Sequence, residues 1–395
     1  MKNPALHRIA AAVLLAVAGC GSAPAQTQKP VKIGFIDTLS TPAGYIGEDQ
    51  RDAFMLAVKE GGGKLGGVPV DVVVEDDGLK PAAAKQIADR MVQDGIRLFT
   101  GVNFSNVMAA VGPTVLNAGA FYVGLNAGPS NYAGKACNKN FFSASFQNDS
   151  FSDTAGIVAN ELGMKRMVLM APNYQAGRDA VNGFKSTYKG QIVDEIYTKL
   201  DQSDFSVELA RIRSLAPDAI FQFQPGGAGI NLAKQFANSG LSGKIKMITP
   251  IYSMDERMLV ATGAAAKGYY LSSPWSADLP NAQNKHFLQA FEQAYHRTPT
   301  VYAAQAYDTA NLIASALKAV GGDVTGHADA FRAALQKADF PSVRGHFKFA
   351  ANHYPIQDWY LLHIEDDGAG KLVYKDLKVI AHDHVDPYVS QCKMQ

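Results

Sequence analysis

The sequence predicts an α/β fold in which a doubly wound parallel sheet, covered by helices, is built twice. The first observation is that short apolar runs alternate with amphipathic stretches from residue 31 onward, as strands and helices alternate in parallel-sheet proteins. The second is that this alternation restarts after SFQNDSFSD (145–153). The restart favours two similar lobes, and one single large sheet is the alternative.

The predicted strands are short runs rich in apolar residues, and the first of them has the pattern of a buried strand. The strands of the first series are VKIGFI (31–36), VPVDVVVED (68–76), IRLFTG (96–101) and AFYVGLN (120–126). The strands of the second series are RMVLMAP (166–172), IVDEIYT (192–198), DAIFQFQ (218–224) and KIKMITP (244–250).

Helices are predicted between these strands. In PAAAKQIADRMVQDG, Ala84, Ile87, Ala88 and Met91 recur at helical spacing and share one face. Further helices are expected over 47–60 and from about Ser105.

The C-terminal third has first helical patterns and then strand patterns. Residues 280–338 have mostly helical patterns, and the chain then turns to alternating strands around an Asp-Asp-Gly turn at 366–368. The chain therefore visits more than one lobe after its second series, which predicts several crossovers and a hinge.

Residues 1–25 have the layout of a bacterial export signal. Lys2 and Arg8 precede an apolar run over 9–19, which is too short to span a bilayer as a stable helix. Two processing sites compete: a lipobox at 17–20, which would lipidate Cys20, and an Ala-Pro-Ala cleavage site at 23–25. Either site predicts a protein that works outside the cytoplasm, and the lipobox is favoured because it gives the Cys20 thiol a purpose.

The charge balance gives no indication of a polyanionic partner. The whole chain has a net charge of +1, which becomes −1 when Lys2 and Arg8 leave with the signal, since 1–19 contain no acid. Neither nucleic acid nor an anionic membrane surface is expected as a partner.

Two cysteines remain after the signal region, Cys137 and Cys392. In an oxidising compartment an even remainder predicts one disulfide, and two free buried thiols are the alternative.

The stretch LFTGVNFSNV (98–107) indicates a binding loop. Ligands of open α/β sheets bind beyond the carboxyl ends of the strands, where a following helix presents unpaired N–H groups and its positive dipole end. Asn103, Ser105 and those N–H groups would suit a carboxylate, and the next strand ends at Asn126, Ala127 and Gly128. The alternative is that Asn103 and Ser105 only cap the helix.

Several of these segments together resemble one family. VKIGFIDTLSTPAGYIGEDQRDAFMLAV, VVVEDDGLKPAAAKQIADRMVQDG, the loop after residue 101, APNYQAGRD and FSVELARIRSLAPDAIFQFQPGG occur in the order found in type I periplasmic solute-binding proteins of branched-chain amino-acid ABC importers. Each motif alone is weak, but their order and spacing are specific.

The resemblance implies two lobes joined by three crossover strands, near 147–150, 271–275 and 352–357, with the ligand in the cleft. Lobe 1 would then comprise 31–147 and 274–352, and lobe 2 would comprise 148–273 and 353–395. The resemblance also implies a periplasmic, monomeric protein that passes its ligand to a membrane permease and an ATPase subunit, without cofactor, metal or catalysis of its own. In resembling proteins a Ser matching Ser105 and small residues matching Asn126 and Gly128 hold the ligand carboxylate.

The sequence departs from this family where the leucine/isoleucine/valine binders hold the ligand's ammonium. Their carboxylate follows a strand that matches MITPIYSMD, and it falls here at about Ile251, with Tyr252 beside it and Asp255 four residues away. The family's aromatic residue at the end of IFQFQPGG is replaced by Gly226. Because a buried ammonium without a counter-charge is strongly disfavoured, the predicted ligand keeps a carboxylate and lacks an α-ammonium.

An apolar or aromatic body is expected for this ligand. Its candidate contacts are the aromatic residues Tyr45, Phe104, Tyr174 and Tyr252, of which at least one is expected to be ordinary core. Gln222, Gln224 or Tyr252 would meet a ring hydroxyl.

The predicted function is that of the solute-binding subunit of an ABC importer. The alternatives are a true branched-chain amino-acid binder and a periplasmic sensor of the same fold. An enzyme is not expected, because the sequence has no G-x-S-x-G, no Cys-x-x-Cys and no G-x-G-x-x-G after the first strand.

Overall fold

The computed structural model describes Met1 and residues 29–394. The predicted export signal with Cys20 therefore lies outside the described residues, apart from Met1. Within the described part of the chain, no helix has the length and apolarity needed to cross a membrane.

The first half of the chain forms a six-stranded sheet. Its elements are β1 (Val31–Asp37), α1 (Gly44–Glu60), β2 (Lys64–Leu65), β3 (Val68–Asp76), α2 (Pro81–Gln93), β4 (Leu98–Gly101), α3 (Ser105–Asn117), β5 (Phe121–Gly124), α4 (Ser130–Ala133) and β6 (Phe141–Ser143). The strand order is β2-β3-β1-β4-β5-β6, and all pairs are parallel except β2 with β3.

The second series forms a separate sheet. Its elements are α5 (Ser150–Glu161), β7 (Arg166–Pro172), α6 (Gln175–Thr187), β8 (Gln191–Thr198), α7 (Ser206–Leu215), β9 (Ala219–Gln222), α8 (Gly227–Asn238), β10 (Lys246–Pro250), α9 (Glu256–Thr262) and β11 (Tyr270–Ser273). Short 3-10 helices at Ile251–Ser253 and Gly263–Ala266 flank α9.

The remaining elements return to both sheets. They are α10 (Ala282–Tyr295), α11 (Val301–Val320), α12 (Ala328–Lys337), β12 (Lys348–Phe349), β13 (Pro355–Asp366) and β14 (Leu372–His384). Helix α11 packs on α1 of the first sheet, whereas β13 pairs antiparallel with β11 and extends the second. The second sheet therefore has the order β12-β13-β11-β10-β9-β7-β8, with β14 on β13.

The chain passes between the two sheets three times, which is the number that the resemblance implies. It crosses between β6 and α5, returns between β11 and α10, and crosses again between α12 and β13. The predicted α/β fold of two doubly wound sheets joined by three crossovers is confirmed.

The parallel strands of both sheets follow the same winding. In each sheet the chain first adds a strand on one side and then continues on the other, so the order reverses between β1 and β4 and between β7 and β9. Loops that leave the carboxyl ends of strands at such a switch point diverge and open a crevice. The two crevices are formed by the residues after β1 and β4 and by those after β7 and β9.

A buried cation joins the first and third crossings to α11. The Arg344 side chain is 1% exposed and its Nε donates to Asp308 Oδ2 at 2.9 Å. Its remaining nitrogens donate to the carbonyl oxygens of Ala144 and Ser145 and to Gln357 Oε1. Arg344 therefore holds together three segments that are far apart in the sequence.

We expect Arg344→Met to lower the free energy of unfolding by about 3–5 kcal/mol, because it leaves the buried Asp308 carboxylate without its counter-charge. Urea denaturation followed by circular dichroism measures this loss. The matched control is Lys337→Met, since the Lys337–Asp339 pair is exposed and should contribute less than about 1 kcal/mol. Equal losses in the two variants would show that the Arg344 contacts do not stabilise the hinge.

The predicted disulfide is present between Cys137 and Cys392, which are 255 residues apart in the sequence. The tail that carries Cys392 leaves β14 of the second sheet and reaches the segment between α4 and β6 of the first. On its way Asp386 Oδ2 accepts from Asn352 Nδ2 at 2.9 Å, and the Tyr388 hydroxyl donates to Asp149 Oδ1 at 3.1 Å. The tail is therefore a fourth, covalent connection across the hinge.

We expect the double variant Cys137→Ser, Cys392→Ser to lose stability, by at most about 5 kcal/mol in the chain-entropy model, because the bond closes a very long loop. Denaturation of the oxidised, the reduced and the variant protein measures the difference, and the last two should agree. Non-reducing peptide mapping should recover the linked pair. Two alkylatable thiols in the native exported protein would contradict the pairing.

Candidate ligand-binding site

A small cavity lies where the crevices of the two sheets face each other. The first sheet and α11 contribute Ile46, Asn103, Phe104, Ser105, Asn126, Ala127 and Tyr302. The first crossing, the start of α5 and the second sheet contribute Phe146, Asn148, Phe151, Tyr174, Ala176, Phe223, Pro225 and Tyr252.

The turn between β4 and α3 brings the first polar residues into this cavity. Gly101 and Val102 have φ angles of 102° and 60°, in the left-handed region that a β-branched residue such as Val102 rarely adopts. A Cβ on Gly101 would come within 2.1 Å of the Ile36 carbonyl oxygen, so this position requires glycine. The sharp turn starts α3 at Ser105, directly at the cavity wall.

The Ser105 hydroxyl is oriented by an asparagine of the first crossing. Asn148 Nδ2 donates to Ser105 Oγ at 3.1 Å and to Asp179 Oδ2 at 2.9 Å, while Asn148 Oδ1 accepts from the Gly128 amide at 3.2 Å. Because Oγ already accepts a hydrogen bond, its own proton is free to donate into the cavity. The N–H groups of Ser105 and Asn106 precede the first intrahelical bonds of α3, as at any helix start, whereas Val107 and Met108 donate to the Phe104 carbonyl oxygen.

Two asparagine side chains at the cavity have unused hydrogen-bonding atoms. Neither side-chain amide atom of Asn103 has a partner among the described residues, and Asn103 is 5% exposed. Asn126 Nδ2 donates to the Asn103 carbonyl oxygen at 2.8 Å, whereas Asn126 Oδ1 has no partner among the described residues. Buried polar groups are normally paired, so these atoms are suited to a ligand.

The rest of the wall is aromatic. The Tyr174 ring lies parallel to Phe223 at a centroid distance of 6.5 Å, and Phe104 lies 6.4 Å from Tyr174. The Tyr252 ring lies 4.4 Å from Phe146. Burial raises the pKa of the Tyr252 hydroxyl, which keeps it a donor as well as the acceptor of the Gln305 Nε2 hydrogen bond.

The structure brings seven of the predicted binding residues together at the cavity: Asn103, Phe104, Ser105, Asn126, Ala127, Tyr174 and Tyr252. Gly128 lies one residue beyond the wall, and a Cβ there would come within 2.0 Å of the Phe146 carbonyl oxygen. The role of Gly128 is therefore close backbone packing and the amide hydrogen bond to Asn148.

Three predicted binding residues do not line the cavity. The Tyr45 hydroxyl donates to Asp255 Oδ2 at 2.5 Å. Gln222 Nε2 donates to Thr249 Oγ1 at 2.9 Å, and Gln224 Nε2 donates to Thr198 Oγ1 at 2.9 Å. Gln222 Oε1 has no partner among the described residues, but neither glutamine lines the cavity, so the expected contact with a ring hydroxyl finds no support in their positions.

Eight residues of the cavity wall were not predicted from the sequence: Ile46, Phe146, Asn148, Phe151, Ala176, Phe223, Pro225 and Tyr302. The only available signal for Phe146, Asn148 and Phe151 was the segment where the alternation restarts, since crossovers converge on the cleft.

No acidic or basic side chain lines the cavity among the described residues. Ile251, where the leucine/isoleucine/valine binders are expected to have their acid, is fully buried in a 3-10 helix. Asp255 caps α9 by accepting from the amides of Arg257 and Met258, and burial raises the pKa of its carboxyl to about 6. Asp255 therefore does not supply a counter-charge to the cavity.

Comparison with known proteins identifies relatives of this architecture. Residues 30–369 match the family described as periplasmic binding protein. A Leu/Ile/Val-binding protein homolog 6 of Brucella melitensis is 27% identical over 301 residues, which cover 74% of this chain and 77% of that protein.

Two solved structures are similar along almost the whole chain. A solute-binding protein of an ABC transporter from R. palustris, in complex with benzoate, is 31% identical with a TM-score of 0.87, covering 93% of this chain and 100% of that one. Another from Rhodopseudomonas palustris, in complex with 3,4-dihydroxybenzoic acid, is 28% identical with a TM-score of 0.82, covering 91% and 99%. Because the family match spans most of the sequence, this chain belongs to the periplasmic binding protein family, as a type I solute-binding protein of ABC transporters.

Proposed function

We propose that this protein is the periplasmic solute receptor of an ABC importer and binds a small carboxylate with an aromatic or otherwise apolar body between its lobes. The observation that carries the proposal is the one-sided polarity of the cavity. Free donors lie at the start of α3, most of the remaining wall is aromatic, and the described wall residues include no acid.

The carboxylate end is assigned to Ser105 and Asn103. The Ser105 hydroxyl, the Asn103 amide and the first N–H groups of α3 supply hydrogen bonds, and the helix dipole favours a negative charge there. Charge-assisted hydrogen bonds of this kind compensate the loss of hydration without a cationic side chain.

The body of the ligand is assigned to the aromatic wall. Rings such as Phe104, Tyr174 and Phe223 offer a large apolar surface, and aromatic rings prefer offset-stacked or edge-on neighbours. The similar proteins from R. palustris that contain benzoate and 3,4-dihydroxybenzoic acid support an aromatic ring at this place.

A branched-chain amino acid is the second candidate ligand, favoured by the Leu/Ile/Val-binding relative. Its ammonium would have to leave water without meeting a carboxylate, which costs several kcal/mol. The proposal therefore ranks an aromatic acid above leucine.

Delivery of the ligand needs a membrane permease and an ATPase as partners, and we propose that the receptor acts as a monomer. If the lipobox is used, Cys20 would anchor it to the membrane. The proposed lobes are 31–147 with 274–352, and 148–273 with 353–395, and they close on the ligand by hinge motion.

Side-chain contacts also join the two sides of the cleft at its mouth. Arg257 Nη1 donates to Glu48 Oε2 at 2.8 Å and to Asp49 Oδ1 at 3.0 Å, and Arg257 also lies over the Tyr45 ring. These groups connect α1 with α9, so they exist only while the lobes are together.

We expect calorimetry to give tighter binding of benzoate, or another non-amino aromatic acid, than of leucine, isoleucine or valine. Ser105→Ala should weaken every carboxylate about tenfold or more, because it removes a hydrogen bond to a charged group. Ser214→Ala is the matched control, since Ser214 is exposed on α7 and bonds only its own helix. Submicromolar binding of leucine without binding of its deaminated analogue would contradict the proposal.

We expect Arg257→Ala to reduce affinity about two- to fivefold although Arg257 does not line the cavity, because the closed state loses its partly exposed ion pairs and the open state does not. Small-angle scattering should show a smaller radius of gyration with ligand than without, and more ligand should be needed for that change in the variant. Arg51→Ala is the control, since Arg51 pairs with Asp52 within α1. An unchanged radius at saturating ligand would count against hinge closure.

A further inference from the structure

Two side-chain oxygens at the cavity, Asn103 Oδ1 and Asn126 Oδ1, have no partner among the described residues. Neither amide atom of Asn103 is bonded, so Asn103 can turn its Nδ2 toward a carboxylate, whereas Asn126 Oδ1 cannot be satisfied by one. Asn126 is 7% exposed and lines the cavity, and its Oδ1 has no hydrogen-bond partner among the described residues. A carboxylate oxygen only accepts hydrogen bonds, so it cannot pair with this oxygen. The ligand must therefore bring a donor as well as its carboxylate if the closed cavity is to be fully paired.

The orientation of the Asn126 amide is set by its neighbours. Its Nδ2 donates to the Asn103 carbonyl oxygen at 2.8 Å, and a flipped amide would place two oxygens against each other. Its backbone oxygen accepts from Ser145 Oγ at 2.7 Å, which holds the loop in place. Oδ1 is therefore the free atom, and it is an acceptor.

The missing donor has to be uncharged. No carboxylate belongs to the described wall residues, so an ammonium at Asn126 would be buried with neutral partners only. A hydroxyl is the smallest neutral group that donates a hydrogen bond. Gln222 and Gln224 were predicted from the sequence to meet a ring hydroxyl. Their amide nitrogens instead donate to residues of the second sheet.

We propose that Asn126 selects hydroxylated aromatic carboxylates by accepting a hydrogen bond from a ligand hydroxyl. This inference rests on the proposed function and narrows its ligand class. A site built to pair a hydroxyl discriminates against the analogue that lacks it, because the protein acceptor is then left buried and unpaired.

The test compares benzoate with 2-, 3- and 4-hydroxybenzoate by calorimetry, for the wild type and for Asn126→Leu. In the wild type at least one hydroxybenzoate should bind about tenfold or more tightly than benzoate. In Asn126→Leu this advantage should fall below about twofold, since the acceptor is gone. Because both ligands are measured on the same variant, a general loss of stability or closure cancels in the ratio.

Tyr252→Phe is the matched variant, because Tyr252 also lines the cavity and its hydroxyl is an alternative partner for a ring hydroxyl. It should keep the hydroxybenzoate advantage. Loss of the advantage in Tyr252→Phe with retention in Asn126→Leu would overturn the assignment to Asn126.

The remaining outcomes separate this inference from the proposed function. If benzoate binds as tightly as every hydroxybenzoate, the inference is overturned and the proposed function stands. If benzamide binds more tightly than all the acids, the free acceptor serves a carboxamide and the inference is again overturned. If leucine binds and no aromatic acid does, both this inference and the proposed function are overturned.

Discussion

The direction in which parallel strands point is the constraint on which the site depends. In each sheet the carboxyl ends lie at one edge, and the winding reverses between β1 and β4 and between β7 and β9. Loops that leave these strands diverge and leave a crevice between them. Because the sheets face each other across three crossings, two crevices combine into one cavity whose walls belong to different lobes. A ligand bound there, as proposed, would contact residues from both sheets at once, so its binding would favour the closed state.

The described cavity wall offers hydrogen-bond donors and a helix dipole to a charged ligand, and no charged side chain. Ser105, Asn103 and the N-terminus of α3 present fixed donors, whereas the charged residues near the cleft lie at its mouth, where Arg257 meets Glu48 and Asp49. Neutral donors have a smaller desolvation penalty than ions when the cleft is empty. When the lobes close and exclude water, each hydrogen bond to a carboxylate strengthens. Because the described wall offers no acid, the ammonium of a zwitterion would lose its hydration without compensation there, which favours an anion that has no ammonium.

Hydrophobic periodicity was enough to predict the sheets, the loop at Ser105 and the loop at Asn126, because both loops follow directly from where a strand ends. Periodicity did not predict which of two neighbouring helix residues faces the cavity. Ile46 lines the cavity and Tyr45 does not, and neighbouring residues on a helix point about 100° apart. It also failed for Asn148, which lies in a crossover without periodicity and becomes important through a hydrogen bond to a residue 43 positions away. Gln222 and Gln224 show the opposite error, since polar side chains in a strand can be satisfied inside the sheet.

The contacts at the hinge and at the cleft mouth differ in strength, and this difference suits a receptor. Arg344 is buried with Asp308 and bonds two of the three crossings, and the Cys137–Cys392 bond adds a covalent connection. Breaking a buried pair is costly, so the hinge axis stays fixed. At the mouth the Arg257 and Glu48 side chains are 34% and 44% exposed, and such pairs contribute little and are screened by salt. These contacts suit a firmly held hinge and a cleft mouth that closes with little free energy of its own, so that the free energy of ligand binding would decide the population of the closed state.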